Sequence, residues 1–147
     1  MRKLNPPKLV LICLGLMFLL SWRWPVLTFL RYPWNLLGLV PLLLGAASCI
    51  TGIRRIRKAD TTIKTFGQPS RLLTDGIYRV TRNPIYLGFA TILLGAWLLL
   101  GALSVGVPVL LFVVVADRWY IRFEEATLAR TFGQEYERYR SRTRRWI

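Results

Sequence analysis

Residues 83–116 read NPIYLGFATILLGAWLLLGALSVGVPVLLFVVVA, a run of 34 residues without one charged side chain. As a single straight helix it would reach about 51 Å at 1.5 Å per residue, far beyond a bilayer hydrocarbon core of about 30 Å. The run is therefore expected to fold back, with Gly101-Ala102-Leu103-Ser104-Val105-Gly106-Val107-Pro108 as the turn. The two halves predict a tight helical hairpin, from about Pro84 to Leu100 and from Pro108 to Tyr120. Pro84 suits the first turn of its helix, where its missing N–H is not needed.

Two further apolar runs precede the hairpin. Tyr32 to Ile53 gives 22 residues without a charge, enough for one span, whereas Leu9 to Trp22 gives only 14 between charges. A cleavable signal peptide competes for the first run, because Arg2, Lys3 and Lys8 precede its apolar core. No small-x-small cleavage site follows; Trp22, Arg23, Trp24 and Pro25 suit an interfacial aromatic anchor instead. The expected architecture is all-α, a multi-span membrane protein of about four transmembrane helices. It ends in a C-terminal helical hairpin followed by a cytoplasmic amphipathic helix.

The charge balance supports this class. The chain carries 21 Lys and Arg against 7 Asp and Glu, a net charge of +14, which first suggests nucleic acid. Apolar runs of spanning length in a chain that is 54% hydrophobic argue for a membrane partner and no nucleic acid. With both termini cytoplasmic, only Arg23 and Arg31 lie outside and 19 basic residues lie inside, including Arg2, Lys3 and Lys64, as the positive-inside rule requires. All seven acidic residues fall on the same side. There is no His, and Cys13 and Cys49 sit in apolar stretches as small buried hydrophobes, so no metal site is expected.

The cytoplasmic segments hold the unusual residues. Arg54 to Arg82, with Gly67, Pro69 and Gly76, reads as a loop crossing the membrane face. From Phe123 to Arg140, Phe123, Leu128, Phe132, Tyr136 and Tyr139 recur as one helical face, so this stretch reads as an amphipathic helix on the membrane or over the loop. Its basic end, Arg138, Arg140, Arg142, Arg144 and Arg145, suits anionic lipid head groups. A spanning helix needs no Tyr78, Arg82, Asn83, Pro84 and Tyr86 at its entrance and no Glu124-Glu125 after its exit. Taken singly, the tyrosines fit an interfacial belt, the glutamates fit neutralisation of nearby arginines, and Asp117 with Arg118 fits a local ion pair. The topology brings these scattered groups to one face, which points to a site at a membrane surface.

Leu72-Leu73-Thr74-Asp75-Gly76-Ile77-Tyr78, then Arg82-Asn83-Pro84-Ile85-Tyr86-Leu87-Gly88, then Glu124-Glu125 with Phe132-Gly133 and Tyr136-x-x-Tyr139, resemble the signature of the isoprenylcysteine carboxyl methyltransferase and phospholipid methyltransferase superfamily. The resemblance covers about Lys64 to Trp146. It implies a small multi-span enzyme that binds S-adenosylmethionine in a cytoplasmic pocket formed by the last hairpin, the preceding loop and the C-terminal helix, without a Rossmann domain. The composition and apolar runs read as one integral membrane domain over residues 1–147, and the resemblance makes 59–147 its cofactor-binding core after a two-helix anchor over 1–58. By match to the family pattern, Leu72, Leu73 and Tyr78 line the cofactor, and Asn83, Pro84, Ile85 and Tyr86 hold its polar end. Glu124 accepts from its ammonium or ribose, while Glu125 braces the loop by pairing with an arginine. A helix N-terminus near Pro84 favours a carboxylate, which Arg82 reinforces.

Two departures bear on the acceptor. Asn83 stands where many family members have His, and Tyr120 stands where the prenylcysteine enzymes place an Arg near the substrate carboxylate. Arg82, Arg118, Tyr120 and Arg122 are the substrate-orienting candidates, although an ordinary helix puts Arg118 and Arg122 on faces other than that of Tyr120. The sulfonium is already an activated donor, so orientation and desolvation should supply most of the rate. Without His, an amine acceptor would need Glu, Asp, Tyr or water as its base, which favours an acceptor that is anionic or easily deprotonated. The expected activity is methyl transfer to a lipophilic acceptor (a carboxylate, thiol or lipid head-group amine) at the cytoplasmic face of a bacterial or archaeal cell membrane. Two other classes share parts of the pattern: an NADPH-dependent membrane reductase related to sterol reductases, and a non-catalytic basic lipid-binding protein.

Overall fold

A computed structural model describes residues 4–60, 67 and 69–147; Arg2, Lys3 and Lys64, assigned above to the cytoplasmic side, lie outside the described residues. Helix α1 covers Pro6–Arg23 and opens on two prolines, whose fixed φ and missing N–H suit a first turn. Helix α2 covers Leu39–Lys58 and is preceded by a 3₁₀ turn at Trp34–Gly38. Helix α3 covers Pro84–Leu100, and α4 covers Gly106–Val115. A π-helical stretch, Ala116–Ile121, leads into α5 at Arg122–Phe132, and α6 covers Gln134–Arg142. The described residues form no sheet; one isolated bridge joins Thr28 to Ala102.

Among the described residues, three helical stretches are long and apolar enough to cross a membrane: Pro6–Arg23, Trp34–Lys58 and Leu103–Phe132. Pro84–Leu100 is apolar but shorter, at 17 residues. The outward faces of α1, α2 and α4 expose Leu11, Phe18, Leu43, Leu44, Val107 and Leu110. Apolar surface on this scale suits contact with lipid rather than water. Cys13 and Met17 from α1, Leu93 from α3 and Phe112 from α4 meet in the interior with no exposed surface.

Helices α2 and α3 approach closely because glycines face each other. A Cβ on Gly45 would lie 2.6 Å from the Gly88 carbonyl oxygen, and one on Gly95 would lie 2.6 Å from that of Gly38. Gly38, Gly45 and Gly52 recur every seven residues, so they form one stripe from the end of the 3₁₀ turn along α2. Gly88 and Gly95 are therefore used within the chain. The Ser48 hydroxyl adds a hydrogen bond to the Pro84 carbonyl at 2.7 Å.

The hairpin turn is closed by backbone. Gly101, with φ of 69°, caps α3 in the left-handed region that glycine enters without steric penalty, and its N–H reaches the Trp97 carbonyl at 2.9 Å. The segment after α1 is stitched to this turn: the Phe29 N–H donates to the Gly101 carbonyl at 2.8 Å, and the Leu103 N–H to the Val26 carbonyl at 3.0 Å. The Trp97 indole N–H donates to the Ala102 carbonyl at 2.9 Å.

Three boundaries differ from the expectation. Helix α2 continues through Arg54, Arg55, Arg57 and Lys58, because a helix carrying long basic side chains at its C-terminal turn is favoured by the helix dipole. The return helix begins at Gly106 rather than Pro108, which lies within its first turn, and it runs unbroken past Tyr120 to Phe132. The stretch 123–140 is consequently not one amphipathic helix. Gly133, at φ 49° and ψ −121°, divides it into α5, a continuation of the spanning helix, and the separate α6.

Candidate functional site

The open end of the α3–α4 hairpin holds the site. Leu72, Leu73, Tyr78, Asn83, Pro84, Ile85, Tyr86, Glu124 and Glu125 all line one cavity, together with Arg82. The α3 entrance contributes Asn83 to Tyr86, α5 contributes the two glutamates with Thr127 and Leu128, and α6 contributes Tyr136 and Tyr139. Pro6 and Pro7 of α1, Ile53 and Ile56 of α2 and Phe89 of α3 supply an apolar side. The walls thus come from both sides of the division at residue 58.

The adjacent carboxylates have different partners. Glu124 accepts a hydrogen bond from the Tyr86 hydroxyl at 2.7 Å. Glu125 is held by two guanidinium groups, with Arg82 Nη2 at 2.8 Å and Arg145 reaching both of its oxygens. Arg145 also contacts Asp117 at 3.2 Å, and the Trp146 indole N–H donates to Asp117 at 3.0 Å. The side chains of Arg82 and Glu125 are only 9% and 13% exposed, so this pair is shielded from solvent and much stronger than a surface ion pair. The hydrogen bond to Glu125 is the first cause holding the Arg145 guanidinium above its ordinary pKa.

The C-terminal segment ties the site together. Arg82 donates through Nη1 to the carbonyls of Arg140 and Thr143, at 2.9 and 3.0 Å, and its backbone N–H reaches the Arg144 carbonyl at 3.0 Å. The Asn83 amide donates to the Arg145 carbonyl at 3.0 Å. Asn83 is buried, so its side chain here fixes the chain's last turn against the α3 entrance.

Three tyrosines complete the lining. The Tyr139 hydroxyl donates to the Tyr78 carbonyl at 2.6 Å. Burial pushes the phenols of Tyr78 and Tyr139 above their ordinary range and that of Tyr136 up to about 12, so all three stay protonated at neutral pH.

The remaining candidates lie elsewhere. Tyr120 is buried behind the lining, its ring stacked on Tyr86 at 6.2 Å and its hydroxyl donating to the Leu4 carbonyl at 2.7 Å. Arg118 and Arg122 are exposed and do not line the cavity. Arg118 sits 3.8 Å from Asp117, so the local pair is present, but the closer partner of Asp117 is Arg145. Arg145 and Trp146 escaped the sequence reading because a run of arginines near the chain end carries no mark of which one turns inward. Tyr136 and Tyr139 were legible as one face of α6; that the face covers a cavity was not.

A sequence model of the phospholipid methyltransferase family matches residues 33–135, well over half of the chain. The chain belongs to that family. Over 74 residues the chain is 43% identical to the protein-S-isoprenylcysteine O-methyltransferase of Schizosaccharomyces pombe, covering 48% of this chain and 30% of that enzyme. A further 63-residue match, 38% identical, covers 43% of this chain and the full length of an uncharacterized protein of Haemophilus influenzae. The chain therefore matches less than a third of the length of the S. pombe relative. No solved structure matches.

Proposed function

We propose that this member of the phospholipid methyltransferase family is an S-adenosylmethionine-dependent membrane methyltransferase acting on a lipophilic acceptor. The observation that carries the reading is that eight residues from three separated segments, each assigned to the cofactor by the family pattern, line a single cavity together with the bracing Glu125. Bound there, S-adenosylmethionine supplies an electrophilic methyl group on a sulfonium. The residues fit it: Glu124 is an acceptor for an ammonium or ribose hydroxyl, Leu72 and Leu73 offer apolar surface to an adenine, and Arg82 and Tyr136, each with a buried unpaired donor, line the same cavity.

The chain's own residues then do four things. Tyr86 orients Glu124 through their hydrogen bond, and Arg82 with Arg145 fixes Glu125 so that it braces α5 against the α3 entrance. The protonated tyrosines can donate but cannot serve as bases at neutral pH. The apolar side formed by Pro6, Pro7, Ile53, Ile56 and Phe89 gives an acceptor with a greasy tail a surface to lie on, and it excludes water from the reacting atoms. We further read α3 as a fourth, short span, with the cavity and both termini on the cytoplasmic side. The acceptor class is a carboxylate, thiol or head-group amine carried on a lipophilic body.

Incubation of the purified chain with methyl-labelled S-adenosylmethionine and a total lipid extract tests this reading. Label is expected in a lipid-soluble product, and Glu124→Ala should abolish it. Absence of any labelled product and of saturable cofactor binding would refute the reading.

A further inference from the structure

Three buried polar side-chain atoms have no hydrogen-bond partner among the described residues: Asn35 Oδ1, Arg82 Nε and the Tyr136 hydroxyl. Asn35 belongs to the far end of the fold, where its amide donates to the Leu99 carbonyl. The other two belong to residues that line the same cavity. Buried donors are almost always satisfied, and two orphans on one cavity wall call for an acceptor from outside the chain.

Neither atom can turn away to find another partner. The rest of the Arg82 fork is committed, Nη1 to two carbonyls and Nη2 to Glu125, which fixes the direction of the Nε–H. Tyr136 is 1% exposed on α6, with its ring packed edge-on against Tyr139 at 6.3 Å. The two tyrosines sit three residues apart on one helix face, yet the Tyr139 hydroxyl is satisfied by the Tyr78 carbonyl and the Tyr136 hydroxyl is not. The difference lies in what each hydroxyl faces, not in the helix.

Charge selects the missing group. Arg82 is a permanent cation beside Tyr136, and both orphan groups can donate, so the missing partner is an acceptor. Glu125 also acts on Tyr136, and its charge is shared between the guanidinium groups of Arg82 and Arg145. Two N–H and O–H donors near a cation favour an oxyanion, and Glu124 lines the same cavity as a separate acidic group.

We propose that the Tyr136 hydroxyl and the Arg82 Nε–H form an oxyanion-binding pole that holds the α-carboxylate of the cofactor, while Glu124 faces its cationic end. The cavity thereby reads an α-amino-acid moiety as a zwitterion. This rests on the cofactor reading above and adds Tyr136, which the family pattern did not assign. The same donors would suit a lipid phosphate, so the test separates the two sources of the oxyanion.

The probes are S-adenosylmethionine and decarboxylated S-adenosylmethionine, titrated by isothermal calorimetry into the purified full chain in detergent. The decarboxylated compound keeps the sulfonium, the amine and the adenosine but has no carboxylate. Wild type should bind the carboxylated probe more tightly, by roughly ten- to a hundred-fold, the range of a hydrogen-bonded charge. Tyr136→Phe, which removes one unpaired hydroxyl and keeps the ring, should weaken S-adenosylmethionine about ten-fold and leave the decarboxylated probe unchanged. Equal affinity of wild type for the two probes, needing no variant, would overturn the proposal while leaving the cofactor reading standing. So would Tyr136→Phe weakening both probes alike or neither, the result expected if the pole serves a lipid phosphate. Binding of neither probe by wild type would overturn both.

Discussion

At one end of the α3–α4 hairpin, the chain passes from Leu100 to Gly106 through a turn sealed by main-chain hydrogen bonds from the segment after α1. At the other end, Pro84 and Glu125 stand on the walls of a cavity bridged by side-chain hydrogen bonds between Arg82, Glu125 and Arg145 and between Tyr86 and Glu124. The helices are the same, and what differs is how their ends are satisfied. The closed end uses a glycine and backbone donors, so little there can be varied without strain. The open end leaves a gap and spans it with arginine, glutamate and tyrosine, at the cost of buried charge. The difference begins in the return helix, which is α-helical and wholly apolar along α4 and becomes π-helical at Ala116–Ile121, where the first polar side chains of the site appear. Such π-helical stretches often lie at functional sites.

The comparison can be broken most severely at the open end. Glu125→Ala removes the carboxylate from between Arg82 and Arg145 and leaves a guanidinium that is 9% exposed without its counter-ion. Stability should fall by roughly 3 kcal/mol, read as a lower unfolding midpoint in detergent, because uncompensated buried charge is costly. At the closed end Gly101→Ala should cost about 2 kcal/mol, since its φ is 69° and a Cβ would run into the Leu30 carbonyl oxygen. That variant should bind S-adenosylmethionine with wild-type affinity once folded, whereas Glu125→Ala should not. Arg118→Ala should change the midpoint by less than about 0.5 kcal/mol, because Arg118 is 70% exposed and its pair with Asp117 is long. A loss of binding from Arg118→Ala would place the site's boundary beyond the cavity described.

The closed end was far more legible in the sequence than the open one. A charge-free run too long for one span, interrupted by glycine and proline, gives the hairpin, and α3 is bounded by Pro84 and Gly101. The extension of the return helix to Phe132 was hidden, because charged residues beyond a membrane read as a new surface element although nothing in Ile121 to Glu125 interrupts a helix. Gly133 marks the true break, at a φ of 49° between α5 and α6. The nine cavity residues could be named because their family pattern is carried by residue type and spacing. Arg145 and Trp146 could not, since their partners Glu125 and Asp117 are brought to them only by the path of the chain after α6. The glycine stripe of α2 has a seven-residue period visible in the sequence, but its use against α3 depends on which helix lies opposite.

Hydrogen–deuterium exchange of the purified chain, with and without saturating S-adenosylmethionine, tests the central claim most directly. Binding in the cavity predicts slower exchange at the backbone amides around Leu72 to Tyr86 and from Glu124 to Tyr139, with no change at residues 24–31 and 101–105. No cofactor-dependent protection at the open end, or protection confined to the closed turn, would contradict it.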